Sequence, residues 1–554
     1  MTRAKLVGLL LLLAACAHQG ATAPSVVGHN GMVVCTEPLA AEAGLEMLRA
    51  GGNCVDAAVA TAFALAVTWP SAGNLGGGGF MILRMADGRE IALDFRETAP
   101  AAATRDMYLG PDGKPVPERS TIGHLGVATP GSVPGLCTAL ARYGTLPLER
   151  VLAPAIALAE NGFPLTRQHV AALNYSRKLL GTNEETKRVF LQGEQRSVQP
   201  DLARTLKRLA ANGEREFRDG ETAKQIVAEM QRGGGLVSAA DLRDYTVIER
   251  APVRGSYRGF EVRSMPPPSS GGVALLQMLH MLEGFELRSM GWQSAQARHW
   301  IVEAMKRAFA DRARWMGDPD QSPIPVDAML SPAHLAAQRA SLGDRASTPD
   351  AAALPLQREQ PQTTHLSVVD AHGGAVAMTT TLNGSFGCGV TVRGAGFLLN
   401  NEMDDFAAAP GVPNMYGLVQ GEANAVAPLR RPLSSMTPTI LLRDGEVVFV
   451  TGSPGGPTII NTVLLSILAH VDGALDAAAV VAAARFHHQW NPDRIAHEAG
   501  TFAPAQRAAL EDRGHIFATI FDSQGDCHVI QRDPRTGRLH GAADPRGGGR
   551  AAGW

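Results

Sequence analysis

The sequence predicts a mixed α/β fold in which helices and antiparallel strands coexist, and three observations support it. A run that is apolar on every side, AAVATAFALAV from Ala57, is typical of a wholly buried helix. A second run, around Trp300, is apolar at helical spacing. Short apolar runs joined by glycine-containing turns are typical of strands, and they occupy residues 80–85, 366–370, 375–381, 439–442 and 447–451.

The first helix is expected at the centre of a layered structure. Asn53 and Asp56 stand before it at cap and first-turn positions, and the run is long enough for about three turns. The second helix is expected to cover a core from outside, because charged residues occupy its remaining positions. Its apolar residues recur at i, i+3, i+4, i+7, i+8 and i+11, and they are Ala297, Trp300, Ile301, Ala304, Met305 and Ala308.

Length and composition indicate a folded protein of enzyme size. The chain has 554 residues, which is more than one hydrophobic core usually organises. Lys and Arg number 51 against 53 Asp and Glu, so the net charge of −2 provides no overall field to hold a nucleic acid. The 45% hydrophobic and 19% charged fractions are those of a folded chain rather than a disordered one.

The first residues have the pattern of an export signal. Arg3 and Lys5 precede an apolar run over residues 6–15, which is shorter than the roughly 20 residues needed to span a bilayer. The run ends in Leu-Ala-Ala-Cys, which resembles a bacterial lipobox and would make residues 1–16 a signal peptide with a lipid anchor at Cys16. Ordinary cleavage after a small residue is the alternative. Either way we expect a periplasmic or exported protein, and lipidation would make it an outer-membrane lipoprotein.

Familiar metal, nucleotide and hydrolase motifs are absent from the sequence. It contains no HExxH, no Walker loop, no dinucleotide fingerprint and no GxSxG. The adjacent His487 and His488 suggest a metal only weakly, because neighbouring side chains point in different directions, and we expect a structural role. The five cysteines after Cys16 contain no CxxC pair, so most are expected to be buried, and their spacing names no disulfide.

A polar, proline-bearing stretch over residues 347–362 is expected to be an exposed loop or linker, and a strand starts after it at Thr363. A threonine hydroxyl is a poor nucleophile near neutral pH and needs a base beside it. Cleavage before Thr363 would supply that base, because a new α-amine titrates near about 8 and lies beside its own hydroxyl. Taken alone, however, these residues fit a simple strand start after a surface loop better.

A series of motifs in order along the chain resembles the γ-glutamyltransferase family of self-processing N-terminal-nucleophile enzymes. The resemblance runs from about residue 25 to the C-terminus, and the series is highly specific. The motifs are GGNCVDAAVATAFALAV from Gly51, NLGGGGFM from Asn74, DFRETAP from Asp94, PGSVPG from Pro130, MPPPSSGG from Met265, EAMKRAFADR from Glu303, QTTHLSVVD from Gln362, LLNNEMDDF from Leu398, RPLSSMTPT from Arg431, GSPGG from Gly452 and RFHHQW from Arg485.

The resemblance implies a four-layer αββα sandwich, with two sheets between helices, formed jointly by two subunits. The precursor would cut itself between Gln362 and Thr363, leaving a large subunit, 25–362, and a small subunit, 363–554, that form a heterodimer. Thr363 would be the nucleophile and, through its α-amine, the base. Thr381 matches the threonine that orients the nucleophile, with cross-strand packing as its alternative role.

The implied substrates are glutathione and other γ-glutamyl compounds, which carry an α-carboxylate and an α-ammonium at one end. Arg96 matches the arginine that binds the carboxylate, and a surface ion pair with Asp94 or Glu97 is its alternative role. Asp405 matches the residue that receives the ammonium, together with Glu402 and Asn383. A solvated loop charge is the alternative for Asp405.

Further site residues match through the same resemblance. Ser434 and Ser435 match a pair that hydrogen-bonds the α-carboxylate, unless they merely begin a strand. Gly455 and Gly456 would offer backbone N–H groups to the oxyanion, which is compatible with a turn. Tyr416 lies in the middle of a loop that resembles a lid over the γ-glutamyl pocket, and closure of this lid would favour transfer over hydrolysis.

The implied reaction requires neither a metal nor an organic cofactor. Thr363 would attack the γ-amide, and the γ-glutamyl ester would pass to water or to an amino acid or dipeptide acceptor. The nearest alternative is a cephalosporin or glutaryl acylase of the same superfamily, whose substrates lack the α-ammonium, and Arg96 with Asp405 argues against it. The alternative from another class is a non-catalytic secreted binding lipoprotein, which would remain uncleaved. No nucleic-acid partner is expected.

Overall fold

The structure is a computed structural model, and it describes residues 25–191, 193, 195–350 and 363–554. The predicted signal peptide, with Cys16, and Gln362 on one side of the predicted cleavage point lie outside the described residues, as does most of the predicted linker. Within the described ranges, no helix is both long enough and apolar enough to cross a membrane.

Two large antiparallel sheets form the centre of the fold. Sheet 1 contains, in spatial order, β1 (Val26–Gly28), β18 (Leu539–Ala543), β17 (His528–Arg532), β13 (Glu446–Gly452), β12 (Thr439–Arg443), β9 (Phe260–Ser264) and β8 (Val253–Tyr257). Sheet 2 contains β19 (Arg550–Gly553), β2 (Gly31–Cys35), β10 (Thr363–Asp370), β11 (Ala375–Thr381), β3 (Gly78–Arg84), β4 (Glu90–Phe95) and β7 (Ile248–Arg250). Smaller sheets join β14 (Phe486–His487), β15 (Ile495–Glu498) and β16 (Phe517–Phe521), and β5 (Phe163–Pro164) and β6 (Arg196–Ser197).

Helices cover the outer face of each sheet. Those with buried apolar residues on the side of sheet 2 include α1 (Pro38–Arg49), α2 (Cys54–Thr68), α4 (Ser132–Tyr143), α5 (Leu148–Asn161), α9 (Pro200–Asn212) and α11 (Glu221–Gly233). Those on the side of sheet 1 include α13 (Gly271–Leu282), α15 (Ala295–Trp315) and α18 (Thr458–Val471). The remaining helices are α3 (Pro117–Thr121), α6 (Arg167–Tyr175), α7 (Arg177–Leu180), α8 (Glu184–Phe190), α10 (Arg215–Arg218), α12 (Ala239–Asp244), α14 (Leu287–Met290), α16 (Val326–Met329), α17 (Pro332–Ala340), α19 (Ala477–Ala482) and α20 (Pro504–Glu511).

Alternation along strand β2 shows why the sheets are covered on both faces. Met32 and Val34 join the core between the two sheets, whereas Val33 and Cys35 join the core beneath the helices. Successive side chains of a strand point to opposite faces, so a strand buried throughout needs a partner layer on each side. The order helix, sheet, sheet, helix confirms the predicted αββα sandwich.

Both predicted helices are present, but one has different surroundings from those expected. Helix α2 is buried along its whole length, and Asn53 caps it by accepting from Val55 and Asp56 N–H groups, as predicted. Helix α15 is longer than predicted, and its polar positions, among them Glu303 and Lys306, are buried as well. The expectation that this helix covers a core from outside is therefore wrong, because other segments pack over its charged face.

The central hairpin places Thr363 in the middle of sheet 2. Strand β10 lies between β2 and β11, and it begins at Thr363, where the sequence predicts a strand start after the linker. Each large sheet combines strands from before residue 350 with strands from after residue 363. The two predicted subunits would therefore share both sheets rather than form separate domains.

Candidate active site

Thr363 is the first residue of β10, and it pairs with Thr381, the last residue of β11. Their hydroxyl oxygens lie 3.3 Å apart, with Thr363 Oγ1 as the donor. The Thr381 hydroxyl in turn accepts from the backbone N–H of Asn383 at 2.9 Å. The hairpin register thus fixes the direction of the Thr363 hydroxyl, which is what the predicted nucleophile and its orienting residue require.

A small cavity of about 30 Å³ lies beside Thr363, and we call it the charged pocket. Segments far apart in the chain bring most of the predicted site residues to it: Arg96, Thr363, Thr381, Asn383, Glu402, Asp405, Tyr416, Ser434, Ser435 and Gly456. Its other lining residues are Arg312, Leu418, Leu433, Met436, Pro457 and Ile459. Gly455 is the described predicted residue that does not line the pocket.

Arg96 follows strand β4 and is completely buried. Its guanidinium donates to Glu402 and Asp405, and also to the backbone carbonyls of Pro432 at 3.1 Å and Leu433 at 3.3 Å. Burial opposes the charge, but the attraction of the neighbouring carboxylates outweighs it and raises the pKa of Arg96. The alternative of a surface ion pair is therefore wrong, because this cation lies inside the pocket wall.

Three carboxyl groups lie around Arg96, two of them completely buried and one partly exposed. Burial raises the pKa of Glu97 to about 7, although Arg96 acts in the opposite direction. Burial also raises the pKa of Glu402 well above its ordinary value, against Arg96 and with repulsion from Glu97 and Asp405. The Asp405 side chain is 14% exposed, against 1% for Glu402, so it is the acid most open to a ligand. The pocket therefore holds a fixed cation beside an accessible anion.

Arg312, near the end of α15, is a pocket residue that the sequence-based prediction missed. It is 2% exposed, and it donates to Ser270 Oγ at 3.0 Å and to Ser435 Oγ at 3.3 Å. Its Nη1 has no hydrogen-bond partner among the residues that the structure describes. Burial lowers the pKa of Arg312 to about 10, with Asp405 opposing the shift, so the residue is charged at neutral pH. The motif EAMKRAFADR contains this arginine, but helical spacing alone gives it no role.

Ser434 and Ser435 lie in an extended segment that is fixed by Ser270. The Ser434 carbonyl accepts from the Ser270 N–H at 2.8 Å and from the Ser270 hydroxyl at 2.7 Å. Ser434 Oγ accepts from the N–H of Met436, and Ser435 Oγ accepts from Arg312. Because both hydroxyl oxygens act as acceptors here, each hydroxyl hydrogen can be donated to an anion in the pocket.

Gly455 and Gly456 form the turn before helix α18. Their φ angles are 131° and 53°, in the region that favours glycine, and a Cβ on Gly456 would lie 3.2 Å from the Tyr416 ring. The Thr458 hydroxyl donates to the Gly455 carbonyl at 2.7 Å. Neither glycine N–H donates to another described residue, so both are free to stabilise an oxyanion.

Tyr416 lies in the predicted lid, between two short 3-10 helices, Glu402–Asp405 and Glu422–Asn424. It is 7% exposed, and its hydroxyl lies 2.9 Å from the carbonyl oxygen of Asn383 and 2.8 Å from Oδ1 of the same residue. Gln489 also donates to the carbonyl of Gly417 at 3.2 Å. These bonds hold the Tyr416 side chain in the wall of the charged pocket, and the role of the loop as a lid stays a prediction.

The histidine pair and the cysteines have structural surroundings. His487 hydrogen-bonds Asn461 at 2.6 Å, and His488 pairs with Asp493 at 3.1 Å. Within the described residues, no group of three or more His, Cys, Asp or Glu side chains has a metal-binding arrangement. The cysteines that follow the predicted signal are buried and free, as expected for small apolar residues, and they are Cys35, Cys54, Cys137, Cys388 and Cys527.

Comparisons with known proteins agree with this geometry. The family model for gamma-glutamyltranspeptidase matches residues 40–554. The glutathione hydrolase proenzyme of Escherichia coli (strain K12) is 46% identical over 531 residues, which cover 94% of this chain and 91% of that protein. The crystal structure of cephalosporin acylase from Bacillus halodurans has a TM-score of 0.85 at 29% identity, covering 97% of this chain and 98% of that one. That of Helicobacter pylori gamma-glutamyltranspeptidase has a TM-score of 0.55 at 40% identity, covering 56% of this chain and 90% of that one. The chain therefore belongs to the gamma-glutamyltranspeptidase family.

Proposed function

We propose that the chain is a glutathione hydrolase and γ-glutamyltransferase that activates itself by cleavage before Thr363. The observation that carries this proposal is the placement of Thr363, oriented by Thr381, beside a pocket that contains the buried cation Arg96 and the accessible anion Asp405. A γ-glutamyl group ends in a carboxylate and an ammonium, so it matches both charges. Relatives named glutathione hydrolase proenzyme support the same substrate class.

Substrate binding would exchange ion pairs rather than bury new net charge. Without a ligand, Arg96 is paired with Glu402 and Asp405. A bound γ-glutamyl group would give its carboxylate to Arg96 and to the hydroxyls of Ser434 and Ser435, and its ammonium to Asp405. Such an exchange avoids the large cost of leaving a buried charge without a partner. It also explains why a substrate lacking either charge would bind poorly.

The first chemical step would be acylation of Thr363. After cleavage, the α-amine of Thr363 takes the proton from Oγ1, and Oγ1 attacks the γ-carbonyl carbon. The oxyanion lies near the N–H groups of Gly455 and Gly456, where fixed donors stabilise it. The amine of the leaving dipeptide receives the proton, and a γ-glutamyl ester remains. Water or an acceptor amine then attacks that ester.

The two predicted subunits, 25–362 and 363–554, would remain together as a heterodimer. Strand β10 of the small subunit lies between β2 of the large subunit and β11. The relatives named as proenzymes support processing of this kind.

Intact-mass spectrometry of the purified protein, followed by an assay of chromophore release from a γ-glutamyl anilide, tests the proposal. We expect two fragments that meet between Gln362 and Thr363, and turnover that disappears in Thr363→Ala. A matched control is Thr121→Ala, since Thr121 is a threonine of the described chain that does not line the charged pocket. One uncut chain without turnover would contradict the proposal and favour the binding-lipoprotein alternative.

A cephalosporin or glutaryl acylase is the second candidate, because the Bacillus halodurans cephalosporin acylase has the same overall fold. Glutaryl substrates have the side-chain length of a γ-glutamyl group without its ammonium, so they leave Asp405 unpaired. Comparing glutaryl and γ-glutamyl anilides distinguishes the two candidates. We expect a kcat/KM at least 100-fold higher for the γ-glutamyl compound, and the reverse preference would establish the acylase.

Export and lipidation are also proposed, from the first sixteen residues alone. Metabolic labelling with a radioactive fatty acid, compared between the natural chain and Cys16→Ser, tests them. Label on the natural chain only supports a lipid anchor, whereas an unlabelled exported protein supports ordinary signal cleavage.

A further inference from the structure

A cavity apart from the charged pocket lies between helix α6, the end of helix α2 and the small sheet of β5 and β6. It has a volume of about 260 Å³ and shares no lining residue with the charged pocket. We call it the aromatic cavity. Its lining residues are Thr68, Trp69, Pro70, Ser71, Phe163, Leu165, His169, Ala172, Leu173, Val189, Phe190, Gly193, Arg196, Ser197, Val198 and Phe386.

Aromatic rings form the walls of this cavity. The rings of Trp69 and Phe163 pack against His169, with centroids 5.3 Å and 5.8 Å from it. On another wall, Phe190 meets Phe386 edge-on at 6.2 Å. Aliphatic surface is added by Leu165, Leu173, Val189 and Val198. Ligand sites in proteins are lined in this way, because apolar surface gains free energy when a ligand replaces water there.

His169 contributes a ring to the wall but no charge. Its Nδ1 accepts from the backbone N–H of Thr166 at 2.9 Å, so the ring proton of the neutral form is on Nε2. Burial lowers the pKa of His169, although the Thr68 carbonyl acts in the opposite direction. The imidazole is therefore neutral at pH 7.

Arg196 is the charged residue of the aromatic cavity, because the other described lining residues are uncharged at pH 7. Its Nη2 donates to the backbone carbonyl of Asn161, and to that of Gly162 at 3.0 Å. These bonds hold the guanidinium in place without neutralising it. Its Nε and Nη1 donate to no described residue, and no carboxylate of the described chain pairs with it. Its charge is thus available to an anion.

The cavity opens to solvent at its charged end. Arg196 is exposed, and Val198, two residues further along, is 50% exposed. A ligand can therefore insert its apolar part while an anionic group stays at the mouth. An apolar cavity of roughly 150 Å³ takes up benzene, so about 260 Å³ has room for a phenyl ring with a short chain.

We infer that the aromatic cavity binds an apolar carboxylate of the arylalkanoate class, with its ring between the aromatic walls and its carboxylate on Arg196. A guanidinium holds a carboxylate through two parallel hydrogen bonds, so it also orients the ligand. No Asp or Glu is among the described lining residues, so the cavity offers an ammonium no partner. The ligand therefore differs in charge from an amino acid or peptide.

The site is independent of the proposed reaction, but it lies near the nucleophile. Trp69, Ser71 and Ala172 line the aromatic cavity and also a larger cavity that has Thr363 in its wall. Ser71 further accepts from the N–H of Phe386 at 2.9 Å. The walls of the ligand site and of the nucleophile's surroundings are thus partly the same residues.

Isothermal titration calorimetry with 4-phenylbutyrate and its uncharged analogue 4-phenylbutanol tests the inference. We expect the natural protein to bind 4-phenylbutyrate at one site. In Arg196→Met, the Kd for 4-phenylbutyrate should rise at least tenfold, whereas the Kd for 4-phenylbutanol should change less than twofold. The matched control is Arg167→Met, since Arg167 is an exposed arginine at the start of α6 that does not line the cavity.

Fluorescence locates the bound ligand, because Trp69 is the one tryptophan among the described lining residues. A bromine atom quenches the emission of an indole that it contacts. We expect 4-(4-bromophenyl)butyrate to quench the natural protein saturably, and Trp69→Phe, which keeps an aromatic ring, to lose most of that quenching.

Leu173→Trp covers the case in which Arg196→Met fails to fold, because it fills the cavity from helix α6 without changing the charge. It should abolish calorimetric binding of both compounds. The inference would be overturned by a natural protein that does not bind 4-phenylbutyrate, by equal losses in the two arginine variants, or by full quenching in Trp69→Phe. None of these readouts depends on γ-glutamyl turnover, so the proposed function would stand or fall separately.

Discussion

The charged pocket meets a second cavity at Thr363, of about 400 Å³ and lined among others by Trp69, Asp526 and Arg546, and the two differ in size and charge balance. The charged pocket has Tyr416 in its wall and contains the ion pairs of Arg96 with Glu402 and Asp405. In the second cavity, Arg546 is paired with Glu498 and Asp544, and Asp526 Oδ1 has no hydrogen-bond partner among the described residues. The contrast teaches that the charges that a substrate must displace are concentrated in one of the two cavities at Thr363, because Arg96, Glu402 and Asp405 all line the charged pocket.

The largest expected effect comes from Asp405→Asn on the pocket side. Losing a charge-assisted hydrogen bond costs about 1.5–3 kcal/mol, and about 1.4 kcal/mol is a factor of ten, so kcat/KM for a γ-glutamyl anilide should fall roughly 100-fold. Steady-state kinetics of the purified, processed protein measures it. The exposed Asp106→Asn is the matched control. A similar loss for a glutaryl anilide would show that Asp405 does not bind the ammonium.

A smaller effect is expected from Arg312→Met, which keeps an unbranched apolar stem and removes the charged guanidinium. Ser435 would lose a donor, and the donor carboxylate would lose a nearby cation, so the KM for the γ-glutamyl anilide should rise about tenfold. Steady-state kinetics of the purified, processed protein measures this change.

Arg314→Met is the control for the preceding variant, since Arg314 lies on the same helix and pairs with Asp350 at the surface. Equal losses in the two arginine variants would indicate damage to helix α15 rather than loss of a pocket contact.

Tyr416→Phe should have a modest effect on the balance of products. The variant keeps the ring over Gly456 but loses the hydrogen bond to Asn383, worth about 1 kcal/mol, so the lid should open more often. We expect the hydrolysed share of the product to rise about threefold to fivefold at fixed acceptor concentration, measured by chromatography of free glutamate and the γ-glutamyl dipeptide. An unchanged share would show that closure does not depend on this hydroxyl.

The smallest change in activity is expected from Glu97→Gln. This variant should also change how the stability of the protein depends on pH. Burial raises the pKa of Glu97 to about 7, so the folded protein holds a proton that the unfolded chain releases at lower pH. Stability from this group is present at low pH and is lost as pH rises between about 5 and 7. Over that pH range, the free energy of unfolding of the variant should fall by about 1–2 kcal/mol less than that of the natural protein, as measured by urea unfolding. The exposed Glu118→Gln is the control. Parallel curves of unfolding free energy against pH for the natural protein and the two variants would contradict this prediction.

The sequence identifies the parts of the site that local pattern controls. The apolar runs at residues 366–370 and 375–381, joined by a glycine-containing turn, predict a hairpin, and its register brings Thr363 to Thr381. The family motifs identify Arg96 and Asp405. The sequence does not show that these residues, more than 300 positions apart, meet in the wall of the charged pocket.

What the sequence could not show is the environment of a charged helix face. Helix α15 has the apolar spacing of a surface helix, yet Arg298 donates to the Thr501 carbonyl and Lys306 donates to the Ser347 carbonyl, both from distant segments. Arg312 is hidden by the same effect, because only the folded chain places Ser435 against it. Helical periodicity reports which face is apolar, but not what covers the opposite face.

The shared sheets have a consequence for how the cut protein would come apart. Strand β10 is hydrogen-bonded to β2 on one side and β11 on the other, and each large sheet contains strands from both sides of Thr363. Separating the two pieces would break these ladders and expose both cores, so separation and unfolding would be one event. A nicked molecule of this design should keep its activity on extreme dilution, and its lifetime should be set by heat or denaturant rather than by concentration.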